Sequence, residues 1–371
     1  MASTAPEESL ELEEADVQEE FFARGWTDGL PVVPPTPERV SQMLAVLGDE
    51  DPELLIGYLA VRGRGVTLEK AAINAVMAGC LPVYFPVVVA ALEAMFDPEF
   101  NLHTVLTSTG GAALCTVVSG PIAQEIGMNA RHGVFGPGYR ANATIGRAIR
   151  LVALNVLGSV PGESDASSFG HPGKYTFCFA EDPPPEPWQP LHVQLGYEPG
   201  DTTVTILPTE GPRQIAQQMT RSPELVLKTV ASVIRSPATF STGKAGQGMV
   251  VLGPEHAGFC IDAGWTQLDV RDFLFRESRI APEELLANGV QIVRGASFEE
   301  IPDEEGKMRS VASADDVYLV TAGGEGAGWS AWIQNWAPII TAVATSRRVR
   351  PIGEPLPDCG PEGCIVPWAK G

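Results

Sequence analysis

Residues 136–158 read GPGYRANATIGRAIRLVALNVLG, a glycine- and proline-rich turn followed by a long apolar stretch. This pattern predicts a helix over residues 142–157. The first N–H groups of a helix have no partner within it and carry roughly half an elementary charge, so they attract anions. Since Arg140 and Arg147 flank this helix start, we expect an anion site there.

Five residues are predicted to bind the substrate: Arg140, Asn142, Thr144, Arg147 and Lys174. The positively charged side chains would hold a carboxylate beside the helix start. The alternative is structural, because Asn142 or Thr144 can simply cap the helix. The cationic side chains would then pair with some of the 46 acidic residues of the chain.

The composition limits the class of protein. A chain of 371 residues with 44% hydrophobic content can bury a sizeable core, and its net charge of −21 repels nucleic acid. Residues 1–20 are acidic and do not resemble a secretory signal. The apolar run 81–96 is interrupted by prolines and falls short of the ~20 apolar residues that cross a bilayer. We therefore expect a cytoplasmic protein with neither a nucleic-acid nor a membrane partner.

The order of predicted elements favours an α/β fold with a mixed sheet and up to two subdomains. We divide the chain into an acidic disordered tail (1–20), an N-terminal α/β region with the anion-site helix (21–182) and a C-terminal α/β region (183–371). The proline-rich stretch EDPPPEPWQP at this boundary is either a linker or a surface loop within one domain. No repeat of fixed period is visible.

Three side chains are candidates for catalysis: Cys80, His103 and His256. Cys80 lies between two predicted helices, where a helix start would lower the pKa of its thiol. His103 is predicted at the start of a strand, and His256 follows a strand beside Glu255; either imidazole can move a proton near neutral pH. The structural alternatives are a buried cysteine, a hydrogen-bonded histidine in the sheet and a helix capped by Glu255.

Two further segments are candidates for a site, one because it is rich in glycine and the other because it contains two cysteines. VYLVTAGGEGAGWSAW (317–332) has glycines after a predicted strand but lacks the lysine of a nucleotide-binding loop. We predict a sharp turn that lines a pocket together with tryptophan. CGPEGC places Cys359 and Cys364 in the C-terminal tail, where they form a reversible disulfide, share a metal or stay free.

Six segments taken together resemble a bacterial family that we associate with the label UGSC-type selenoprotein-related. They are GWTDGLPVVPPTPERV, AINAVMAGC, FNLH, GPGYRANATIGRA, GKYTFCFAE and GPEHA, and the resemblance covers most of residues 25–280. It implies no assigned reaction. The family label implies a cysteine or selenocysteine followed by Gly-Ser-Cys, and this chain contains no such motif.

These features favour a cytoplasmic, homo-oligomeric enzyme that transforms a small carboxylate-bearing anion by thiol-assisted or acid/base chemistry, of lyase or oxidoreductase type. The sequence assigns no cofactor. One alternative is a metal-dependent enzyme that uses His103 and His256. Another is a non-catalytic oligomeric scaffold, because the apolar helices near 68–96 and the tryptophan-rich segment 329–336 would need a partner if they were exposed.

Overall fold

The structure is a computed structural model, and it describes residues 16–351 apart from 238, 291–293, 296–297, 300–301 and 327. Its α-helices are α1 (Val17–Ala23), α2 (Pro37–Leu44), α3 (Leu68–Ala78), α4 (Phe85–Met95), α5 (Leu102–Thr107), α6 (Pro121–Glu125), α7 (Arg140–Leu151), α8 (Leu191–Gln194), α9 (Pro223–Ile234), α10 (Pro254–Asp262), α11 (Gln267–Glu277) and α12 (Pro282–Ala287). Its strands are β1 (Leu55–Leu59), β2 (Arg64–Thr67), β3 (Ala113–Ser119), β4 (Cys178–Ala180), β5 (Thr203–Thr209), β6 (Arg213–Ala216), β7 (Gly246–Leu252), β8 (Arg294–Gly295), β9 (Phe298–Glu299), β10 (Val317–Thr321), β11 (Trp329–Pro338) and β12 (Thr345–Arg348).

Helix boundaries follow local signals where these are strong. The hydroxyl of Thr67 accepts a hydrogen bond from the backbone of Lys70 and caps α3, which ends at Gly79 with a positive φ of 90°. Both ends match the sequence prediction. Helix α1 begins at Val17, inside the segment expected to be a disordered tail, whereas residues 1–15 lie outside the described residues.

The central sheet is mixed and has the strand order β10-β7-β11-β5-β3-β4. The edge strands β10 and β4 run parallel to their neighbours β7 and β3, and the remaining pairs along this order are antiparallel. Strands from both sides of residue 183 share the sheet. The proline-rich stretch after β4 thus connects strands of one sheet, and the division into two α/β regions stays a prediction.

The sheet consists of two halves with the same strand topology, which meet between β5 and β11. In each half the chain forms the middle strand, then the parallel edge strand, then the antiparallel inner strand: β3, β4, β5 in the first and β7, β10, β11 in the second. The short strand that follows crosses to the other half in both cases. Thus β6 pairs with β11, and β12 pairs with β5.

Two similar short runs occur in the two halves, but they are not structurally equivalent, because Val118 of the first faces the outer helices and Val251 at the same place in the second faces the inner cluster. Residues 117–121 read VVSGP and residues 250–254 read VVLGP, and each run leads from a middle strand into a helix that begins at the proline. A Cβ at Gly120 would lie 2.3 Å from a backbone oxygen, and one at Gly253 would lie 2.2 Å from another. Both positions require glycine because the start of the inner strand passes so close. The two halves therefore share a topology without a matching sequence repeat.

The sheet curls around an apolar cluster to which all six strands contribute, including Cys115, Phe179, Leu207, Met249, Val320 and Ile333. The two edge strands meet where they end, because the backbone N–H of Asp182 donates to the Thr321 oxygen at 2.8 Å. The outer face of the first half packs against α3, α4 and α7, and that of the second against α9, α10 and α11. No helix in the described ranges has the length and apolarity needed to span a bilayer.

Two predictions about individual elements need correction. The apolar stretch at 102–108 forms helix α5 instead of a strand. The apolar helices α3 and α4 are buried within the first half, and Trp332 and Trp336 are buried in the sheet. Most of the apolar surface that suggested a scaffold is therefore covered by the chain itself, whereas Trp329 of the same segment is 45% exposed, and homo-oligomerisation stays a prediction.

Candidate functional site

The predicted anion-binding helix, α7, begins at Arg140, two residues earlier than expected. Nε and Nη2 of Arg147 each donate to a carboxylate oxygen of Asp28 at 2.8 Å. Arg147 also donates to the carbonyl oxygen of Leu30 at 3.2 Å. The guanidinium group therefore holds a carboxylate of the same chain and fastens the N-terminal arm to α7.

The other predicted binding residues on α7 also have internal partners. Arg140 donates to the carbonyl oxygen of Gly79 at 3.0 Å, and the Thr144 hydroxyl donates to the Arg140 carbonyl at 2.8 Å. The Asn142 amide forms two hydrogen bonds with the backbone of Asn129, at 2.8 and 2.9 Å. These contacts agree with the structural alternative, in which the polar side chains fix the start of the helix.

Lys174 lies in a separate buried cluster. Its ammonium group is 2.8 Å from a carboxylate oxygen of Asp165, and Arg150 approaches the same oxygen at 2.7 Å. Ser167 completes the cluster with a hydrogen bond to the other oxygen at 2.5 Å. Lys174 is therefore occupied by a protein carboxylate and is not assembled with Arg140 and Arg147.

Cys80 does lie near the predicted residues of α7, but its thiol is buried. Burial raises the pKa of Cys80 to about 12, although a hydrogen bond with Thr144 and the charges of Arg140 and Arg147 act in the opposite direction. The sequence analysis expected a lowered pKa, and this expectation was wrong because desolvation outweighs the nearby cations. Cys115 and Cys178 are buried as expected.

We expect Cys80 to resist alkylation in the folded protein. A pKa about 3 units above the usual value lowers the thiolate fraction near neutral pH roughly a thousandfold. Treatment with iodoacetamide followed by peptide mass spectrometry should show modification at least 100-fold slower than in urea-unfolded chain. Equal rates in the two states would contradict the assignment of a buried, protonated thiol.

His103 lies on α5. It contacts Arg62, whose guanidinium group binds carbonyl oxygens just after the π-helical extension of α7. Nε of Arg62 is 3.5 Å from Nδ1 of His103, and Arg62 also donates to the carbonyl oxygens of Leu157 at 2.9 Å and Gly158 at 2.7 Å. These carbonyls follow the π-helical turn that extends α7, where backbone acceptors need external donors. His103 therefore contacts a side chain that completes a helix end.

His256 lies in the other half of the fold, on α10, and its partners differ from those of His103. Among the described residues no group of three His, Cys, Asp or Glu side chains is arranged to hold a metal ion. The structure thus does not bring the two histidines together. Cys359 and Cys364 lie outside the described residues.

A cleft of about 450 Å³ opens at the carboxyl ends of the parallel strands β7 and β10. Ligand sites of α/β sheets commonly occupy this position. The floor is apolar and includes Val134, Val251, Ala322 and Ala331. The walls and rim are formed by the side chains Phe135, Trp329, His132, Gln214 and Glu325, and by glycines 133, 136, 323, 324 and 326. The prediction that the glycine-rich segment lines a pocket with tryptophan is confirmed.

Close contacts hold the glycine-rich segment in place. Nε2 of His132 lies 3.0 Å from the carbonyl oxygen of Glu325, and its ring sits so close to Gly324 that a Cβ there would be 2.1 Å away. The carboxylate of Glu255 accepts a hydrogen bond from the Gly326 N–H at 2.5 Å. Glu255 therefore anchors the cleft wall, whereas the sequence analysis expected it to cap α10.

Ser330 borders the cleft, but its side chain lies on the same face of the sheet as those of Leu252 and Trp332, where it forms a hydrogen bond with the buried His256 of α10. The serine oxygen is 2.7 Å from Nδ1 of His256, and Nε2 is 3.0 Å from the carbonyl oxygen of Gln217. A carbonyl oxygen can only accept, so in the neutral imidazole Nε2 carries the proton and Nδ1 accepts from the serine hydroxyl. The Gly253 N–H donates to the same serine oxygen at 3.3 Å.

In the first half, the position that corresponds to the cleft lies at the carboxyl ends of β3 and β4, and it is filled. Helix α8 packs on the ends of β3 and β4, where the backbone N–H of Leu191 donates to Glu181 at 2.8 Å and that of His192 donates to Ser119 at 3.2 Å. The connection that carries α8, residues 181–202, is much longer than residues 322–328 of the second half. The longer connection covers the strand ends of the first half, whereas the short connection of the second half leaves the cleft open.

The filled position contains a buried hydrogen-bonded group. The Ser119 hydroxyl lies 2.5 Å from Glu181 and 2.8 Å from Nδ1 of His192. Burial raises the pKa of Glu181 to about 8, despite the hydrogen bond from Ser119, and burial also lowers the pKa of His192. Both shifts favour the uncharged forms, so near neutral pH the cluster holds a protonated carboxyl group beside a neutral imidazole.

None of the three predicted catalytic residues lines the cleft, although His256 contacts the side chain of the neighbouring Ser330. Sequence reasoning missed Ser330 and His132. The signal for Ser330 was its position directly after the glycine-rich segment, and His132 precedes the turn from which the sequence analysis started. No protein-family model matches the chain, and no curated protein is significantly similar to it. The resemblance to the UGSC-type family stays a prediction.

Proposed function

We propose that this chain is a cytoplasmic enzyme that acts on a small carboxylate-bearing molecule with a flat apolar body. The observation that carries the proposal is the cleft at the carboxyl ends of β7 and β10, with its apolar floor and the polar side chains of His132, Gln214 and Glu325 at its walls and rim. Apolar clefts with a few polar groups are the usual sites of small-molecule binding.

The walls of the cleft support an apolar ligand body. Trp329 is 45% exposed although it begins a strand of the central sheet, and with Phe135 it offers an aromatic surface. Glycines form much of the remaining wall, so a ligand can approach the backbone closely. A flat ring fits this combination better than a branched or highly polar molecule.

The rim supports recognition of a carboxylate. His132 lines it, and the neighbouring Arg131 is 58% exposed, with carboxylate partners at 3.5 Å on Asp182 and 3.2 Å on Glu325. Exposed ion pairs contribute about 1 kcal/mol or less, so a ligand carboxylate can replace either partner of Arg131. This rim takes over the role first assigned to Arg140 and Arg147.

The thiol-assisted alternative is set aside because Cys80 is buried and protonated. Acid/base chemistry by His256 stays a prediction, because its imidazole is completely buried and its ring nitrogens contact Ser330 and Gln217 of the same chain.

Benzoate is a suitable probe because it combines a flat ring with a carboxylate. We expect wild-type protein to bind it with a dissociation constant on the order of millimolar, as for other fragments, and Trp329→Ala to weaken binding at least tenfold by removing the aromatic wall. Isothermal titration calorimetry measures both affinities.

Gly258→Ala serves as the matched control, since a Cβ at Gly258 meets no atom within 4 Å. This variant should bind benzoate as the wild type does. Equal affinity of Trp329→Ala and wild type, or absence of benzoate binding by both, would overturn the proposed site.

A further inference from the structure

We propose that His132 is the catalytic base of the cleft and that the enzyme interconverts the keto and enol forms of a 2-oxo acid with an aromatic ring on carbon 3. This inference rests on the proposed function, because it takes the same cleft as the binding site and the same rim for the carboxylate. It adds the reaction class, and it narrows the ligand from carboxylates in general to aryl 2-oxo acids.

The hydrogen bond of His132 determines which of its ring nitrogens is a base. Nε2 lies 3.0 Å from the carbonyl oxygen of Glu325, which can only accept, so in the neutral imidazole Nε2 carries the proton and Nδ1 has the lone pair. Cδ2, Cγ and Nε2 are the ring atoms nearest to Gly324, so Nδ1 lies on the side turned away from this part of the wall. His132 is exposed and lines the cleft, and within the described part of the chain nothing is hydrogen-bonded to Nδ1.

Glu325 brings this base close to the position of the ligand carboxylate. Nη2 of Arg131 lies 3.2 Å from the carboxylate of Glu325, while His132 contacts the carbonyl oxygen of the same residue. A ligand carboxylate that replaces the Glu325 carboxylate on Arg131 therefore lies beside the imidazole. In a 2-oxo acid the reacting carbon is only two bonds from the carboxylate carbon, so one ligand can reach both side chains.

Arg131 is also the donor for the oxygen on which negative charge develops. Its guanidinium group presents several N–H donors in one planar fork, which can take one carboxylate oxygen and the neighbouring 2-oxo oxygen of the ligand together. When a proton leaves carbon 3, the charge moves to the 2-oxo oxygen. The interaction with Arg131 is then stronger in the transition state than in the ground state, which is the requirement for catalysis.

The shape of the cleft and the strength of the base select the substrate class. A carboxylate alone does not make the neighbouring carbon acidic enough for an imidazole, whereas a 2-oxo group accepts the charge as an enolate. With an aromatic ring on carbon 3 the enolate is conjugated and planar. A planar molecule fits between the aromatic side chains of Phe135 and Trp329 and the glycines of the wall.

The proton transfer is balanced and needs no further reactant. Nδ1 of His132 takes the proton from carbon 3, the C–H electron pair forms the double bond between carbons 2 and 3, and the carbonyl π pair moves onto the oxygen. The protonated imidazole then gives its proton to this oxygen, which yields the enol, and the reverse sequence restores the keto form. Because His132 is exposed, its proton exchanges with water between the steps.

Deuterium exchange at carbon 3 of phenylpyruvate tests the assignment. In deuterium oxide we expect the intact chain to accelerate the loss of the carbon 3 proton signal, followed by NMR, above the rate in buffer alone. His132→Gln should lower kcat at least 100-fold, which is the usual contribution of a general base. His171→Gln is the matched control, because Nε2 of His171 also contacts a carbonyl oxygen, that of Thr209 at 3.3 Å, but His171 does not line the cleft. It should keep the wild-type kcat.

Two further variants distinguish a base from a structural side chain. Added imidazole should restore part of the exchange activity of His132→Ala, because a free base can enter the space that the side chain leaves. Arg131→Gln should raise KM and also lower kcat, since Arg131 contacts both the carboxylate and the enolate oxygen. An equal kcat for wild type and His132→Gln would overturn the role of His132 and leave it as a support of the glycine-rich segment.

Benzoate separates this inference from the proposed function. Competitive inhibition of the exchange by benzoate supports both. Benzoate binding that Trp329→Ala weakens, without any exchange activity of the wild type, overturns the reaction and keeps the cleft. Absence of both benzoate binding and exchange overturns the proposed function together with this inference.

Discussion

The free energy of unfolding is expected to fall by roughly 4 kcal/mol between about pH 4.5 and pH 8 through Glu181 alone. Burial raises the pKa of this carboxyl group to about 8 in the folded chain, while in the unfolded chain it stays near 4.5. Between these values the folded state holds a proton that the unfolded state has released. Stability is therefore greatest below the window, declines as the pH rises through it and levels off above pH 8.

Glu181→Gln isolates this effect because an amide keeps the shape and stays uncharged. Chemical denaturation at several pH values should show a flatter profile for this variant than for the wild type, with the largest difference near pH 8. Glu163→Gln, at an exposed position, should follow the wild-type profile. If Glu181→Gln also follows it, Glu181 does not carry the buried proton.

Asp165→Asn is expected to lower the free energy of unfolding by about 3–5 kcal/mol. The carboxylate is 2% exposed and is shared by Arg150 and Lys174. Burial opposes its ionisation, but hydrogen bonds from Lys174 and Ser167 lower the pKa of Asp165. Removal of its charge would leave two cations facing each other without compensation, which explains the large penalty.

Asp315→Asn is the matched control. Asp315 is 87% exposed and lies 3.7 Å from its partner Arg271, so its loss should cost about 1 kcal/mol or less. Urea denaturation near neutral pH measures both variants. A similar small loss for the two substitutions would contradict the view that Asp165 compensates the buried cations.

Local signals sufficed to predict most of the elements and one part of the site. The Thr67 cap and the Gly79 stop depend on residues within one turn of the helix ends, so the sequence alone reveals them. The glycine-rich segment before Trp329 was likewise predicted to line a pocket, because glycines after a strand indicate close backbone approach. In each case the physical cause lies within a few residues.

Local sequence signals could not show whether the residues of α7 form an anion site, because the partners of their side chains lie in distant parts of the chain. Arg147 is an anion-binding side chain as predicted, but its anion is Asp28, which lies far away in sequence. Cys80 is near the expected cations, yet its burial depends on packing of the whole first half. The hydrogen bond between Ser330 and His256 joins two elements that are distant in sequence, so local patterns could not predict it.

The shared topology of the two halves was also hidden, because even the similar runs VVSGP and VVLGP place Val118 and Val251 on opposite faces of the sheet. Strand order and the exchange of β6 and β12 reveal it. Pairing across such distances leaves almost no trace in the sequence of one chain.

The exchange of β6 and β12 links the two halves of the sheet. The inner strand of each half is paired with the last strand of the other, so each half supplies backbone hydrogen bonds that the other needs. Separation of the halves would leave the N–H and C=O groups of both inner strands without these partners, as an exposed edge that can pair with another chain.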